Sequence, residues 1–279
     1  MIKIKSKTIY IFVFYLLINR CYGTGLLRPM GGRAATMGRI SACEQGLWAL
    51  SNNPSGLAEL QGWQCGLYYE NLWMLKETAY KSGGFAKAFE GIGCLGLSVT
   101  QFGWSGHSES LFGLVYARSF GPHLAMGLRA DGWWLHPGEG YPNRFAPGFT
   151  LGIQSQVTER LLLGATWINP IQSRLHTLNE DLLPVVMRLG CSYRFTDDFV
   201  GQCEVEKDSQ VPGVRLGAGF EYTLFERFQL RAGAQSNPNI LSFGLGYAIR
   251  NLQVDVAAQM HQALGASLQI SLEYGMPAL

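Results

Sequence analysis

From about residue 64 to the end, apolar and polar side chains alternate with a period of two, and the alternation restarts many times. In the last run Leu268, Ile270, Leu272 and Tyr274 alternate with Ser267, Gln269, Ser271 and Glu273; in the one before, Leu252, Val254, Val256, Ala258 and Met260 alternate with polar or small residues. Period two is the signature of a strand with two unlike faces. The stretches 64–71, 79–89, 91–103, 107–119, 123–136, 145–157, 161–171, 184–195, 199–207, 212–224, 228–236, 239–249, 252–262 and 266–274 read as 14 strands. Most are long enough to cross a bilayer when tilted.

The connections alternate as well. Short turns fall at Glu90-Gly91, Gly121-Pro122, 158–160, 196–198, 225–227 and Arg250-Asn251, while 137–144 and 172–183 are the longest of the other set. Short turns at one end and longer loops at the other are the pattern of an outer-membrane barrel. Tyr193, Phe195, Phe199, Phe220, Tyr222, Phe228, Tyr247 and Tyr274 share the apolar phase near the short turns. They form one expected interfacial girdle, with Trp73, Trp104, Trp134 and Trp167 as the second. A soluble sandwich has no need of rings clustered by height. The fold expected is therefore all-β: a 14-stranded antiparallel transmembrane β-barrel with both chain ends on the short-turn side.

Composition closes other routes. With 47% hydrophobic and 12% aromatic residues the chain is too apolar for disorder. A formal charge of +2, with no basic block in the mature part, argues against a nucleic-acid partner. The only long apolar run is at the N-terminus. There Lys3, Lys5 and Lys7 precede the stretch 9–18, and Cys21-Tyr22-Gly23 offers small residues for cleavage, so 1–23 reads as a signal peptide. Lipidation at Cys21 is disfavoured by the preceding Asn19 and Arg20. Removing 1–23 takes away three lysines and one arginine and turns the charge to about −2. The expected location is the bacterial outer membrane, with lipid as the first partner. Cys43, Cys65, Cys94, Cys191 and Cys203 remain, in no zinc-binding spacing, and no cofactor or metal is expected.

The polar phase must face the lumen, because a charge in lipid is costly. A three-residue turn at 196–198 sets Phe195 opposite Phe199 and thereby Arg188 opposite Glu206; a turn at 225–227 sets Glu221 opposite Arg231. Glu204 and Arg215 fall on intervening lumen positions. The group reads as a structural charge network, or as a patch that sets selectivity. The same register sets Cys191 opposite Cys203 on the apolar phase, where unpaired lipid-facing thiols are expected. Gly91, Gly93 and Gly96 match G-x-G-x-x-G, but inside a strand pattern and before no helix, so a nucleotide loop is rejected. There is no G-x-S-x-G and the histidines are scattered. An enzyme, with His136 or His261 at its site, is disfavoured.

Residues 24–63 do not alternate. They hold the run Gly31-Gly32-Arg33-Ala34-Ala35-Thr36-Met37-Gly38 and then Asn53-Pro54-Ser55-Gly56-Leu57-Ala58. A segment with apolar content and no strand period must pack somewhere, and a 14-stranded barrel has room for it. The organisation expected is a signal peptide (1–23), an N-terminal hatch or plug in the lumen (24–63) and the barrel (64–279). These two runs resemble the N-terminal region of FadL-like outer-membrane proteins. Within that family they are most similar to the PorV/PorQ branch associated with type IX secretion, as are Tyr68-Tyr69-Glu70-Asn71, Met187-Arg188-Leu189-Gly190 and Ser192-Tyr193-Arg194-Phe195. The resemblance implies a hatch motif at Asn53, Pro54, Ser55, Gly56 and Leu57. Ser55 stands where the family has Ala, the outer loops are short, and five residues follow Tyr274.

The resemblance implies two activities. One is a role accessory to type IX-like secretion or surface attachment, with a secretion-machinery or surface-protein partner; this is the first expectation. The other is FadL-like passage of small hydrophobic molecules.

Overall fold

The computed structural model describes residues 25–175 and 182–276; the expected signal peptide, 1–23, lies outside the described residues. Fourteen strands form one closed antiparallel barrel. They are β1 (Trp63–Asn71), β2 (Ala79–Phe89), β3 (Gly93–Trp104), β4 (His107–Ser119), β5 (Leu124–His136), β6 (Arg144–Thr158) and β7 (Leu161–Ile168). There follow β8 (Val186–Arg194), β9 (Phe199–Asp208), β10 (Arg215–Leu224), β11 (Phe228–Gln235), β12 (Ile240–Ile249), β13 (Leu252–His261) and β14 (Gly265–Met276). Each strand pairs with its neighbours in sequence, and β1 closes the ring on β14, from Trp63 opposite Met276 to Asn71 opposite Leu268. Closure leaves no strand edge unpaired.

Strand ends fall where local chemistry stops the ladder. The expected strand at 91 begins at Gly93, because Gly91 adopts φ 71° in the turn. β7 ends at Ile168, where Asn169 turns with φ 52°. β8 and β10 start later than expected, just after Pro184 and Pro212, which have no N–H to donate.

The two faces of the wall are sorted as the alternation demands. Outward positions carry Leu97, Leu114, Leu189, Leu216, Leu245 and Val256, each more than half exposed. Inward positions carry Thr100, Arg129, Thr150, Arg188, Glu204, Ser242, Asp255 and Ser271, all buried. A wall apolar outside and polar inside inverts the soluble pattern. Rings gather at the short turns: Phe199 stacks on Phe195 at 5.3 Å and on Phe220 at 5.7 Å, and Phe228 meets Tyr247 at 4.6 Å. At the other end Trp104, Trp134 and Trp167 face outward. Trp73 departs from the expected second girdle. Its φ of 54° takes it out of the strand phase, and it packs against the buried cluster of Met30, Trp48, Tyr68, Leu72 and Tyr80.

The leading segment, up to β1, packs against inward-facing residues. It contains one short helix, α1 (Gly32–Thr36), and single helical turns at Leu47–Leu50 and Pro54–Leu57. Its residues Ala35, Met37, Leu47, Ala49, Asn52, Asn53, Ser55 and Leu57 have no appreciable solvent exposure.

Candidate functional site

The seat of the leading segment is cut from glycine. A Cβ at Gly219 would come within 2.6 Å of the Met37 carbonyl, and one at Gly233 would run into the Gly38 amide. Similarly, Gly244 meets Thr36, Gly164 meets the Ala42 carbonyl, and Gly127 meets Pro54. Gly84 and Gly96 meet Leu50. These glycines lie on the inward phase of β2, β3, β5, β7, β10, β11 and β12. A missing side chain there lets a second backbone approach the wall. Gly96, the last glycine of the rejected nucleotide-loop match, thus has a packing role.

The five residues singled out in the leading segment form one turn. The Asn53 side chain accepts from the Ser55 amide at 3.2 Å and the Ser55 hydroxyl at 2.7 Å, capping the turn. Its amide donates to the Ala42 carbonyl at 2.5 Å. Pro54 sits at the first position of the turn, where its fixed φ fits and no N–H is missed. Gly56 lies against the Glu44 carbonyl, where a Cβ has no room. Leu57 enters an apolar cluster with Leu47, Leu50, Leu60, Ala86 and Val115. Asn52 adds a paired contact to Met30, accepting its N–H at 2.9 Å and donating to its carbonyl at 2.8 Å.

The charged residues read from the polar phase lie together inside the barrel. Arg188 and Glu206 stand opposite each other at 2.5 Å, and Arg215 reaches the same Glu206 oxygen at 2.5 Å. Glu221 and Arg231 are paired at 2.6 Å, and Arg231 continues to Asp255 at 2.5 Å. This network grips the leading segment. Arg33 clamps Glu221 through Nε at 3.0 Å and Nη2 at 3.1 Å. Arg188 donates to the Leu27 carbonyl. Glu204 accepts the Ser41 and Ala42 amides at 2.8 and 2.6 Å. Glu204 therefore holds backbone, while its approach to Arg215 is only 3.9 Å.

Two further clusters escape pattern reading. Glu70 on β1 accepts from Arg39, from Arg28 at 3.1 Å, from the Tyr68 hydroxyl at 2.9 Å and from Gln269 at 3.0 Å. Arg129 binds Asp131 at 2.5 Å and the Leu50 carbonyl at 3.0 Å. Hairpin register pairs neighbouring strands only; it does not bring 28, 39 or 50 to the wall. The one visible signal was an acid or arginine on the inward phase with no counter-charge opposite.

Burial sets the protonation of the segment's own carboxyl. Glu44 is pushed up to about 7, chiefly by desolvation, with Arg33 pulling down and Glu221 and Asp255 pushing up. For Arg33, burial works against the charge, but Glu221 and Glu44 outweigh it and the guanidinium is held above its usual range.

Beneath the longer connections lies an apolar cup of Leu26, Leu111, Trp133, Ala146 and Leu183. Outside the same strands, a groove of about 800 Å³ is lined by Phe85, Leu97, Phe112, Leu114 and Phe145. Between cup and groove the wall is thin: Gly83, Gly84, Gly113 and Gly132 reach the groove, and Pro147, with no N–H to offer, stands opposite Gly132. His136 contacts Asn143 at 2.7 Å, and His261 accepts two loop amides at 3.1 Å; both serve their own loops. Among the described residues no group of three or more His, Cys, Asp or Glu is placed to hold a metal ion.

A closed antiparallel β-barrel of 14 strands, apolar outside and polar on its inward face, defines the class: the FadL-like barrel fold. Among solved structures the chain is similar to the CymD monoaromatic hydrocarbon channel, with a TM-score of 0.67, 15% identity, and coverage of 91% of this chain and 99% of that one. It is similar to the toluene transporter TbuX of Ralstonia pickettii, with a TM-score of 0.66, 16% identity, and coverage of 90% and 99%. A Pseudomonas aeruginosa FadL homologue matches with a TM-score of 0.58, 14% identity, and coverage of 88% and 97%. At these identities the likeness is one of fold. No family model and no curated protein matches the chain.

Proposed function

We propose that the chain is an outer-membrane channel for small hydrophobic molecules, with residues 24–63 as its hatch and 64–279 as its barrel, exported by the signal peptide 1–23. The observation that carries this reading is the coincidence of the apolar cup, the glycine-thinned wall and the outer groove across β2–β6. An apolar solute entering among the longer loops meets the cup first. The adjacent wall offers little side-chain bulk, and the groove beyond faces lipid. Such a solute gains by leaving water at each stage. That neighbours with this fold are channels and transporters of monoaromatic hydrocarbons supports the reading, and weighs it above the secretion-associated role expected first.

Initial uptake of radiolabelled toluene by intact cells, whose lipopolysaccharide-covered outer membrane slows apolar solutes, tests it, with and without the barrel expressed. Faster uptake with the barrel is expected. It should fall on Gly132→Phe, which fills the groove beside Phe145 and leaves the lumen untouched. Uptake equal to cells lacking the barrel overturns the channel. The resemblance of the two leading-segment runs to the PorV/PorQ branch supports a second reading, a secretion or surface-attachment accessory. Recovery of a secretion component with the barrel from outer membranes, together with no toluene uptake, selects it.

A further inference from the structure

Cys191 on β8 and Cys203 on β9 stand directly opposite each other, both on the outward phase, with their sulfurs 3.2 Å apart as free thiols. Directly opposed residues of an antiparallel pair have Cα atoms about 4.5–5.5 Å apart, inside the span that a disulfide bridges. The inner faces of the same two strands carry Arg188 and Glu204, which hold Leu27, Ser41 and Ala42 of the leading segment, and Glu206, which pairs with Arg188.

We infer that Cys191 and Cys203 are an oxidation site: a cross-strand disulfide that ties β8 to β9 in the register presenting this charged socket to the leading segment. The inference rests on the envelope location proposed above. The oxidant is the disulfide of a periplasmic thiol oxidase. One cysteine thiolate attacks that disulfide, displacing one oxidant thiol and forming a mixed disulfide. The second thiolate then displaces the other oxidant thiol. Two S–H bonds are lost, one S–S bond forms, and the oxidant takes up two electrons and two protons. The exchange needs thiolates and hence water. It therefore takes place on the 13-residue hairpin Cys191–Cys203 before insertion, while its outward face is still wet. Lipid then covers the bond.

The sequence provides a clean readout. Trypsin cuts after Arg188, Arg194 and Lys207, leaving Cys191 in peptide 189–194 and Cys203 in peptide 195–207. Free thiols are blocked in intact cells with N-ethylmaleimide, and the protein is purified from the outer-membrane fraction and digested without reductant. The expected result is that most of the material appears as the linked pair 189–194/195–207, which separates on reduction. Cys191→Ala, a small change on the lipid face that leaves the barrel folded, must turn Cys203 into a maleimide adduct. Separate peptides that both carry maleimide in the wild-type protein overturn the inference, as does either cysteine linked elsewhere. Absence of the chain from the outer-membrane fraction overturns the location, and the pairing with it. Toluene uptake is measured separately, so loss of the channel reading leaves this result standing.

Discussion

The carboxylate of Glu204 accepts the backbone N–H of Ala42 at 2.6 Å, across 162 residues of chain, and takes that of Ser41 at 2.8 Å with the same oxygen. A wall residue thus serves as the hydrogen-bond partner of a segment that has no regular structure there. Hydrogen bonds to a charged acceptor contribute about 1.5–3 kcal/mol each. Glu204→Ala is expected to weaken docking of residues 41–42 by about 3 kcal/mol. Hydrogen exchange at these two amides should rise roughly 100-fold while the strands keep their protection. Unchanged exchange would show that the segment is held by packing alone.

Gly152 on β6 has no room for a side chain, because Asn53 and Pro54 fill the position. Gly152→Val is expected to lift the turn at Pro54–Leu57 off the wall at a cost of about 1–3 kcal/mol. The β6 backbone is not strained, so the barrel should still fold and run as a heat-modifiable species in gels. Planar-bilayer recording should show larger or more frequent conductance steps. Gly83→Ala is the control: it faces outward, its nearest neighbour would be Leu67 at 3.4 Å, and it should behave as wild type.

Asn53 acts through both ends of its side chain, as cap for Ser55 and as donor to Ala42. Asn53→Ala removes both and should cost about 1–2 kcal/mol of segment docking. Asn53→Asp keeps the cap and loses the donor, so its cost should be smaller at low pH. Limited proteolysis of the leading segment in folded barrels ranks the three proteins. Equal cleavage of all three would count against the cap.

Glu44 gives the docked segment a pH dependence. Its folded value, about 7, lies above its ordinary value of 4.5. The stability linked to its neutral form is therefore fully present below about pH 4.5 and is lost as the pH rises through 7. The amplitude is at most about 3.5 kcal/mol, since a tenfold change in proton affinity corresponds to about 1.4 kcal/mol. The protection of residues 33–44 against hydrogen exchange, taken relative to the base-catalysed intrinsic rate, should fall between pH 5 and pH 8, and Glu44→Gln should flatten that fall. A profile that Glu44→Gln leaves unaltered assigns the effect to other groups.

The barrel was legible because its determinants are local and repeated. An alternation such as Leu252 to Met260 fixes which face is apolar, and a turn of known length fixes the neighbour. This is why Arg188 opposite Glu206 can be read by counting from Phe195. The leading segment has neither property. Gly219, Gly233 and Gly244 look like any other glycines in a glycine-rich chain until Met37, Gly38 and Thr36 are seen against them. Trp73 followed the apolar phase and still turned inward, because a left-handed turn decided its direction.

The sequence by itself therefore determined the number of strands, their neighbours and the sorting of polar from apolar faces, since period two and short turns act within one or two strands. Only the tertiary structure decided how the leading segment expected in the lumen is held. Glu204 meets Ala42, Glu70 meets Arg39 and Gly152 meets Asn53 once the ring has closed, and no spacing along the chain encodes a contact between a closed wall and the loose segment it surrounds.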